Sequence, residues 1–460
     1  AEIVGMAFCY KAKEAYYVPT PTNPKERDEI LAVFKPLFEN ERIEKVGHNI
    51  KFDYHILANY GIELKGQLFD TMIAHYLIQA DMRHNMIVLA ETYLNYSPIK
   101  IESIIGKGKT QLNMRDLDPL EIKKYACEDA DVTWQLKAVF EPLLKEDDLI
   151  SLFREIEMPL VSVLAKMERE GINLDRESLQ LFSKKLESSV KEIQDEIFDI
   201  AGTEFNISSP KQLGEILFDH IKIDDKAKKT KTGQYSTSEE VLSKLKKKHP
   251  IVEKVLIFRS LQKLRSTYVD ALPALVNPNT QRIHTSFNQA VAATGRLSSN
   301  NPNLQNIPIR TERGREVRKA FIPRDDNHVL LAADYSQVEL RLIAEMSNDT
   351  VMIEAFKQGL DIHAATASKV FNVPLIDVTK EMRSNAKTVN FGIIYGVSAF
   401  GLSQQSSLSR KEAAEIIKNY FTTYPKLKEY MDANVAFARE YGYVKTIMNR
   451  KRRLKDINSR

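Results

Sequence analysis

The sequence predicts an α/β domain followed by a largely helical one. Three observations carry that prediction. Short apolar runs of strand length alternate with helix-period segments near the N-terminus. From about Leu149 the pattern changes to long amphipathic helices. After a polar stretch, helix-period sequence resumes at Leu342 and runs to the C-terminus, interrupted at Gly359, Pro374, Gly401 and Pro425.

The elements follow in order. Ile3 to Tyr10 is an apolar run of strand length. A second strand ends at Tyr16-Tyr17-Val18-Pro19, since Pro cannot donate to a ladder. Arg27 to Phe38 places Ile30, Leu31, Val33, Phe34 and Leu37 at helical spacing. Lys45-Val46-Gly47 reads as a strand and Asp53 to Tyr60 as a helix. Phe153 to Gly171 and Ser178 to Ala201 read as helices stopped by Gly171 and Gly202. Lys226 to Ser238 is basic and nearly devoid of apolar residues, the pattern of a flexible loop tip. Glu239 to Lys248 is a further helix, ending before Pro250. Thr285 to Pro308 is polar and too long for an idle connector. Val329 to Ala333 is a strand candidate ending at Asp334.

Composition bounds the function. The chain has 460 residues, 43% hydrophobic and 28% charged, which excludes a disordered or fibrous protein. Its 66 Lys+Arg against 62 Asp+Glu give a net charge of +4, so any basic surface must come from local clustering. Cys9 and Cys127 are too few for a disulfide scaffold and fit a reducing compartment. No apolar run approaches the roughly 18–20 residues of a membrane helix. Ala1-Glu2-Ile3-Val4-Gly5 reads as the middle of a strand, so a fragment is expected.

Four constellations carry chemistry. Asp334 follows an apolar run, where a carboxylate suits a Mg²⁺ ion or, equally, a helix N-cap. Arg383, Lys387, Phe391 and Tyr395 recur every four residues, a stripe that drifts about 40° per step on a helix. Two cations in successive turns suit a triphosphate, and a ring beyond them can stack on a base. The same pattern also suits an ordinary amphipathic helix. Thr294 to Ser299 and Pro302 to Pro308 offer Arg, Asn and Gln donors for phosphates and base edges, or an irregular polar loop. In the N-terminal part, His48-Asn49-Ile50-Lys51-Phe52-Asp53, Asp70, and Tyr125 with Asp129 four residues on, complete the set. Two Asp residues on separate helices can hold a Mg²⁺ pair about 4 Å apart, but isolated Asp residues are more often surface groups or caps.

Taken together and in order, these segments resemble the large fragment of bacterial family A DNA polymerases over essentially the whole chain. Asp334-Tyr335-Ser336-Gln337-Val338-Glu339-Leu340-Arg341 is similar to the family's motif A. Arg383 to Gly396 is similar to its motif B, on a fingers helix. The resemblance implies a template-directed DNA polymerase of replication and repair, working by two-metal phosphoryl transfer. Asp334 is implied as a metal carboxylate, with Mg²⁺ as cofactor and Mn²⁺ able to substitute. Gln337, Glu339, His363, Arg383, Lys387, Phe391 and Tyr395 are implied to bind the incoming dNTP, Arg383 and Lys387 as catalytic cations and Glu339 as the steric gate against a ribose 2′-OH. Arg296, Asn303, Gln305 and Arg310 are implied contacts to primer–template DNA, and Lys226 to Ser238 a thumb tip on the duplex backbone.

The N-terminal domain resembles a ribonuclease H-like 3′–5′ exonuclease. Asn49 and Asp53 match its second motif, and Tyr125 and Asp129 its third, with Asp53 and Asp129 as metal ligands. The first motif, Asp-x-Glu, is expected upstream of Ile3, and the His-Asp-Glu of the palm downstream of Arg460. The implied right-hand partition is exonuclease-like 1–147, thumb 148–275, partial palm 276–350 and fingers 351–460. A bacterial, cytoplasmic, nucleoid-associated monomer is expected. The alternative is a truncated remnant that binds primer–template and dNTP without catalysis.

Overall fold

The protein was analysed as a computed structural model that describes residues 2–231, 233–309, 311–405 and 408–459. It divides into two compact units, Ala1–Leu330 and Leu331–Arg460.

The first unit opens with an antiparallel hairpin, β1 (Gly5–Lys11) and β2 (Glu14–Pro19), turned at Lys13, which adopts φ 68°. α1 (Pro24–Phe38) follows, capped by Asn23, whose side chain accepts the amides of Lys25 and Glu26. β3 (Lys45–Gly47) runs parallel to β4 (Leu68–Asp70), with α2 (Ile50–Ala58) between them. α3 (Thr71–Ile78), α4 (Met86–Tyr93), the short α5 (Ile101–Ile105) and the long α6 (Pro119–Glu146) complete this part. The two ladders remain separate two-stranded sheets, so the α/β layer is thin. Helices, chiefly α3 and α6, cover it. Its core centres on Phe69, Leu136, Phe140, Leu144 and Phe153, all shielded from solvent.

The chain then continues through α7 (Met158–Glu170), β5 (Asn173–Leu174), α8 (Arg176–Ala201), α9 (Pro210–Gly214), α10 (Glu239–Leu245), α11 (Pro250–Leu264) and α12 (Ala271–Ala274). The apolar faces of α8 and α11 share a second core with Leu186, Ile197, Val255 and Leu261. β6 (Ser286–Asn288) pairs antiparallel with β7 (Ser298–Asn300), α13 (Glu312–Lys319) follows, and β8 (Phe321–Ile322) pairs back to β5.

The second unit contains α14 (Val338–Ser347), α15 (Thr350–Lys357), α16 (Ile362–Phe371), α17 (Lys380–Ile394), α18 (Ala399–Gln405), α19 (Arg410–Thr423) and α20 (Pro425–Tyr441). A terminal hairpin pairs β9 (Tyr443–Lys445) with β10 (Lys451–Arg453). Met352, Leu402, Tyr420, Tyr424 and Leu427 form its core.

Three expectations need correction, and one segment is specified further. Val329 to Ala333 forms no strand: Val329 and Leu331 are 86% and 91% exposed. An apolar run becomes a strand only against a partner ladder, and among the described residues it has none. Lys226 to Ser238 is a paired turn rather than a free loop. Thr230 N donates to Gln234 O at 2.6 Å, Gly233 N to Thr230 O at 2.9 Å, and Lys229 bridges Tyr235. Thr285 to Pro308 holds the β6–β7 hairpin. The C-terminal stretch read as helical ends in the β9–β10 hairpin, because Gly442 at φ 77° stops α20.

Candidate functional site

α17 builds the charged face of the second unit. Thr379 caps it, accepting the Met382 amide at 3.1 Å. Ala386, Val389, Asn390 and Ile393 are buried, and Arg383 and Lys387 are exposed along the edge of that buried face. Arg383 Nε donates to Asp361 Oδ2 at 2.7 Å. The other oxygen of Asp361 caps α16, accepting the amides of His363 at 2.9 Å and Ala364 at 3.2 Å. Burial alone would raise the Asp361 carboxyl, but the Arg383 bond and these amides outweigh it and hold it low. Lys387 is exposed and makes no ion pair among the described residues.

Beneath this face lies a buried polar chain. Asn390 Nδ2 donates to His363 Nδ1 at 3.0 Å, and Thr366 Oγ1 contacts both Asn390 Oδ1 and Tyr424 Oη at 3.2 Å. Burial pushes the His363 imidazole down, the Asp361 charge opposes it, and the Arg383 and Lys387 charges add to burial. His363 is therefore held neutral, with its ring 5.8 Å from that of Phe391. Phe391 and Ile394 pack on Leu340, Ala355 and Ile362, which brings α14 against α17. Gln337, at φ 54°, turns the chain into α14 and sets Glu339 in its first turn. Tyr395 ends α17, and its hydroxyl donates to Glu339 Oε2 at 2.6 Å. Asp334 is exposed in extended chain before this turn, and the N-cap position of α14 belongs to Gln337.

In the first unit, Asp70 is a structural clamp. Its Oδ1 accepts the amides of Asn49, Met72 and Ile73, and its Oδ2 that of Ile50 at 2.8 Å. It thus caps α2 and α3 together, and Asn49 enters α2 in the left-handed region at φ 60°. Its lone pairs serve backbone, so it is no partner in a metal pair. Asp53, one turn into α2, is open to water yet surrounded by protein. Crowding and then the Asp70 charge push its carboxyl up to about 7. Burial pushes Asp129 up to about 6, and the Tyr125 hydroxyl opposes it. Burial, followed by Asp129, pushes the Tyr125 phenol up. Among the described residues no group of three or more His, Cys, Asp or Glu is arranged for a metal. Asn49, Asp53, Tyr125 and Asp129 therefore form no metal-binding cluster of that size among the described residues.

The β6–β7 hairpin carries Arg296 beside Gly295, which takes φ 84°. Asn303 caps the following short 3₁₀ turn, accepting the Gln305 amide at 3.0 Å. Gln305 Nε2 reaches back to Leu297 O at 3.2 Å. Arg296, Asn303 and Gln305 are all exposed around this hairpin. Arg310 lies outside the described residues.

Comparison with known proteins decides the family. Residues 176–460 match the model of DNA polymerase family A, more than half of the chain. The chain belongs to DNA polymerase family A. Residues 1–145 match a 3′–5′ exonuclease model, so an exonuclease-family domain precedes the polymerase-family domain. Among relatives, DNA polymerase I of Pseudomonas aeruginosa is 45% identical over all of this chain and 51% of its own length. That of Chloroflexus aurantiacus is 42% identical over 100% of this chain and 49% of its own. The chain thus spans about half the length of these relatives. A solved structure titled as the POL domain of Pol1 from M. smegmatis, in complex with DNA primer-template and dNTP, matches at TM-score 0.85 and 34% identity. The match covers 97% of this chain and 74% of that one.

Within the family A region, the structure brings Arg383, Lys387, Phe391, Tyr395, Glu339 and His363 into one packed group. His363 lies beneath the face rather than on it, only 3% exposed. Asp334 is exposed, three residues before the Gln337 turn into α14. The supporting residues Asp361, Thr366 and Asn390 carried no sequence signal beyond the ordinary N-cap pattern at Asp361. No helix is long and apolar enough to cross a membrane among the described residues.

Proposed function

We propose that the chain is the primer–template and dNTP-binding part of a template-directed DNA polymerase that extends a primer 3′-OH in replication and repair. The α17 stripe is the observation that carries this reading: two exposed cations in successive turns, then two rings, with Tyr395 bonded to Glu339. In this reading 1–147 is exonuclease-like, 148–275 the thumb, 276–350 part of the palm and 351–460 the fingers. The protein acts as a monomer in the bacterial cytoplasm, at the nucleoid.

Lys387 meets the triphosphate directly. Arg383 exchanges Asp361 for phosphate at small cost, because an exposed ion pair contributes only about 0–1 kcal/mol. Neutral His363 supports Phe391, which packs against the sugar and base. Gln337 holds the turn that presents Glu339, whose side chain excludes a 2′-OH, and Tyr395 holds Glu339 in place. Asp334 offers one carboxylate to Mg²⁺, or to Mn²⁺ in its place. One carboxylate with waters and phosphate oxygens is an ordinary Mg²⁺ shell, and the ion would offset charge on the transferring phosphoryl group. Arg296, Asn303, Gln305 and Arg310 contact the primer–template, and the Lys226–Ser238 turn contacts its phosphates, so affinity falls with salt. The matching exonuclease positions are Asn49, Asp53, Tyr125 and Asp129.

A second reading, binding without catalysis, is supported by the lack of a group of three or more ligating His, Cys, Asp or Glu among the described residues. Primer extension with Mg²⁺ and dNTPs separates the two, with Asp334→Ala as control and primer–template affinity measured in parallel. Extension abolished by Asp334→Ala supports the polymerase. DNA binding with no extension supports the binding remnant. Failure to bind primer–template overturns both.

A further inference from the structure

We propose that the exonuclease-family domain has a second, non-catalytic function: it braces the β6–β7 hairpin that carries Arg296. A two-stranded hairpin is at best marginal alone in water. This one has only three residue pairs, Ser286–Asn300, Phe287–Ser299 and Asn288–Ser298. Something outside the ladder must hold it, and two side chains of the N-terminal domain do.

The first is Lys51 of α2. Its ammonium donates both to the Glu168 carboxylate and to the Phe287 carbonyl. Glu168 Oε1 in turn accepts the Phe287 amide at 2.6 Å, so both backbone polar groups of Phe287 are clamped. Glu168 is 7% exposed, and His55 Nε2, one turn beyond Lys51, sits 2.6 Å from its other oxygen. A buried carboxylate so occupied is costly to disturb, since freeing it leaves an unpaired charge. The second is Tyr76 of α3, itself buried, whose hydroxyl donates to the Ala292 carbonyl at 2.6 Å. Ala292 lies four residues before Arg296 on the hairpin turn. The two clamps therefore hold one strand and the turn. Neither requires the metal ligands of the exonuclease motifs, so the brace works whether or not that domain hydrolyses DNA.

The functional consequence rests on the proposed DNA contact by Arg296. Holding the hairpin in advance reduces the ordering that DNA binding must otherwise cost. The test uses the full chain with a Lys51→Met/Tyr76→Phe double variant, Arg296→Ala and the triple combination. Amide hydrogen exchange across 286–300 and primer–template affinity are both read. The expected result is faster exchange in the hairpin and about tenfold weaker binding in the double variant. In the Arg296→Ala background the double variant is expected to weaken binding no further. Unchanged hairpin exchange overturns the brace. Losses that multiply with Arg296→Ala overturn its action through Arg296. If the double variant does not fold, Tyr76→Phe alone, which keeps the buried ring, is read the same way. If Arg296→Ala by itself leaves affinity intact, the DNA-contact reading fails, and hydrogen exchange still decides the brace.

Discussion

The Tyr395 hydroxyl donates to Glu339 Oε2 at 2.6 Å, joining the end of α17 to the first turn of α14. The two residues are 56 positions apart. The apolar contacts of Phe391 and Ile394 with Leu340 bring the helices close enough for that bond. A carboxylate tied by a phenol is held in one place, and in the proposed reading the pair sets the space left beside the sugar of a bound dNTP.

Sugar discrimination tests that relationship. Glu339→Ala is expected to lower the dNTP:NTP ratio of kcat/KM by about a hundredfold or more, and Tyr395→Phe by about tenfold. The second figure corresponds to about 1.4 kcal/mol, the scale of one hydrogen bond to a charged group. A ratio unchanged in Tyr395→Phe would show that the bond does not position Glu339.

The two cations of α17 should behave differently. Lys387 has no ion-pair partner among the described residues, so Lys387→Ala is expected to leave stability within about 0.5 kcal/mol. Its dNTP KM or kcat is expected to worsen by about 10²-fold, the usual cost of losing one preorganised charge at a phosphoryl group. Arg383→Ala should produce a similar kinetic loss and also release Asp361, with a stability cost below about 1 kcal/mol. Urea unfolding and steady-state kinetics on both variants check this. Equal dNTP kinetics in wild type and Lys387→Ala would remove it from the site.

Asn390 should be a stability residue. Asn390→Leu leaves His363 Nδ1 without its amide donor and Thr366 Oγ1 with Tyr424 Oη alone, in a buried setting. The expected cost is about 2–4 kcal/mol in chemical unfolding. A cost under 0.5 kcal/mol would mean that water replaces the amide.

Acid should weaken the first unit through its histidines. Burial pushes His48 and His75 down to about 4. His75 is fully enclosed, with Nδ1 2.8 Å from that of His84 and Nε2 3.2 Å from Tyr93 Oη. Such a histidine binds fewer protons folded than unfolded. Its contribution is therefore complete above the ordinary pKa near 6.5 and is lost as pH falls toward about 4. The histidine contribution is expected to fall over that window, with His75 accounting for on the order of 2 kcal/mol, while the raised carboxyls of Asp53 and Asp129 gain protons in the folded state and oppose it. His75→Phe should remove the His75 part of the pH slope. Equal slopes in variant and wild type would show that His75 titrates normally.

Much of this was legible in the sequence, and the reason is range. The four-residue spacing from Arg383 to Tyr395 already placed those side chains along one helix face, because helical periodicity is a local property. The stop of α8 at Gly202 likewise rests on neighbours in sequence. The terminal β9–β10 hairpin and the paired turn at Thr230 were not legible, since a strand is defined by what it pairs with. The unpaired run at Val329 makes the same point in reverse.

By itself, then, the sequence determined the helices, their outward-facing charges and the motifs that resemble family A. Each is set within a few residues by spacing, capping and turn chemistry. Tertiary structure alone decided that Asp70 serves four backbone amides, that His363 is buried beneath Phe391, and that Tyr395 holds Glu339. It also decided that Lys51 and Glu168 clamp Phe287, more than a hundred residues further along the chain. These contacts depend on which faces pack together, and packing is a property of the whole chain.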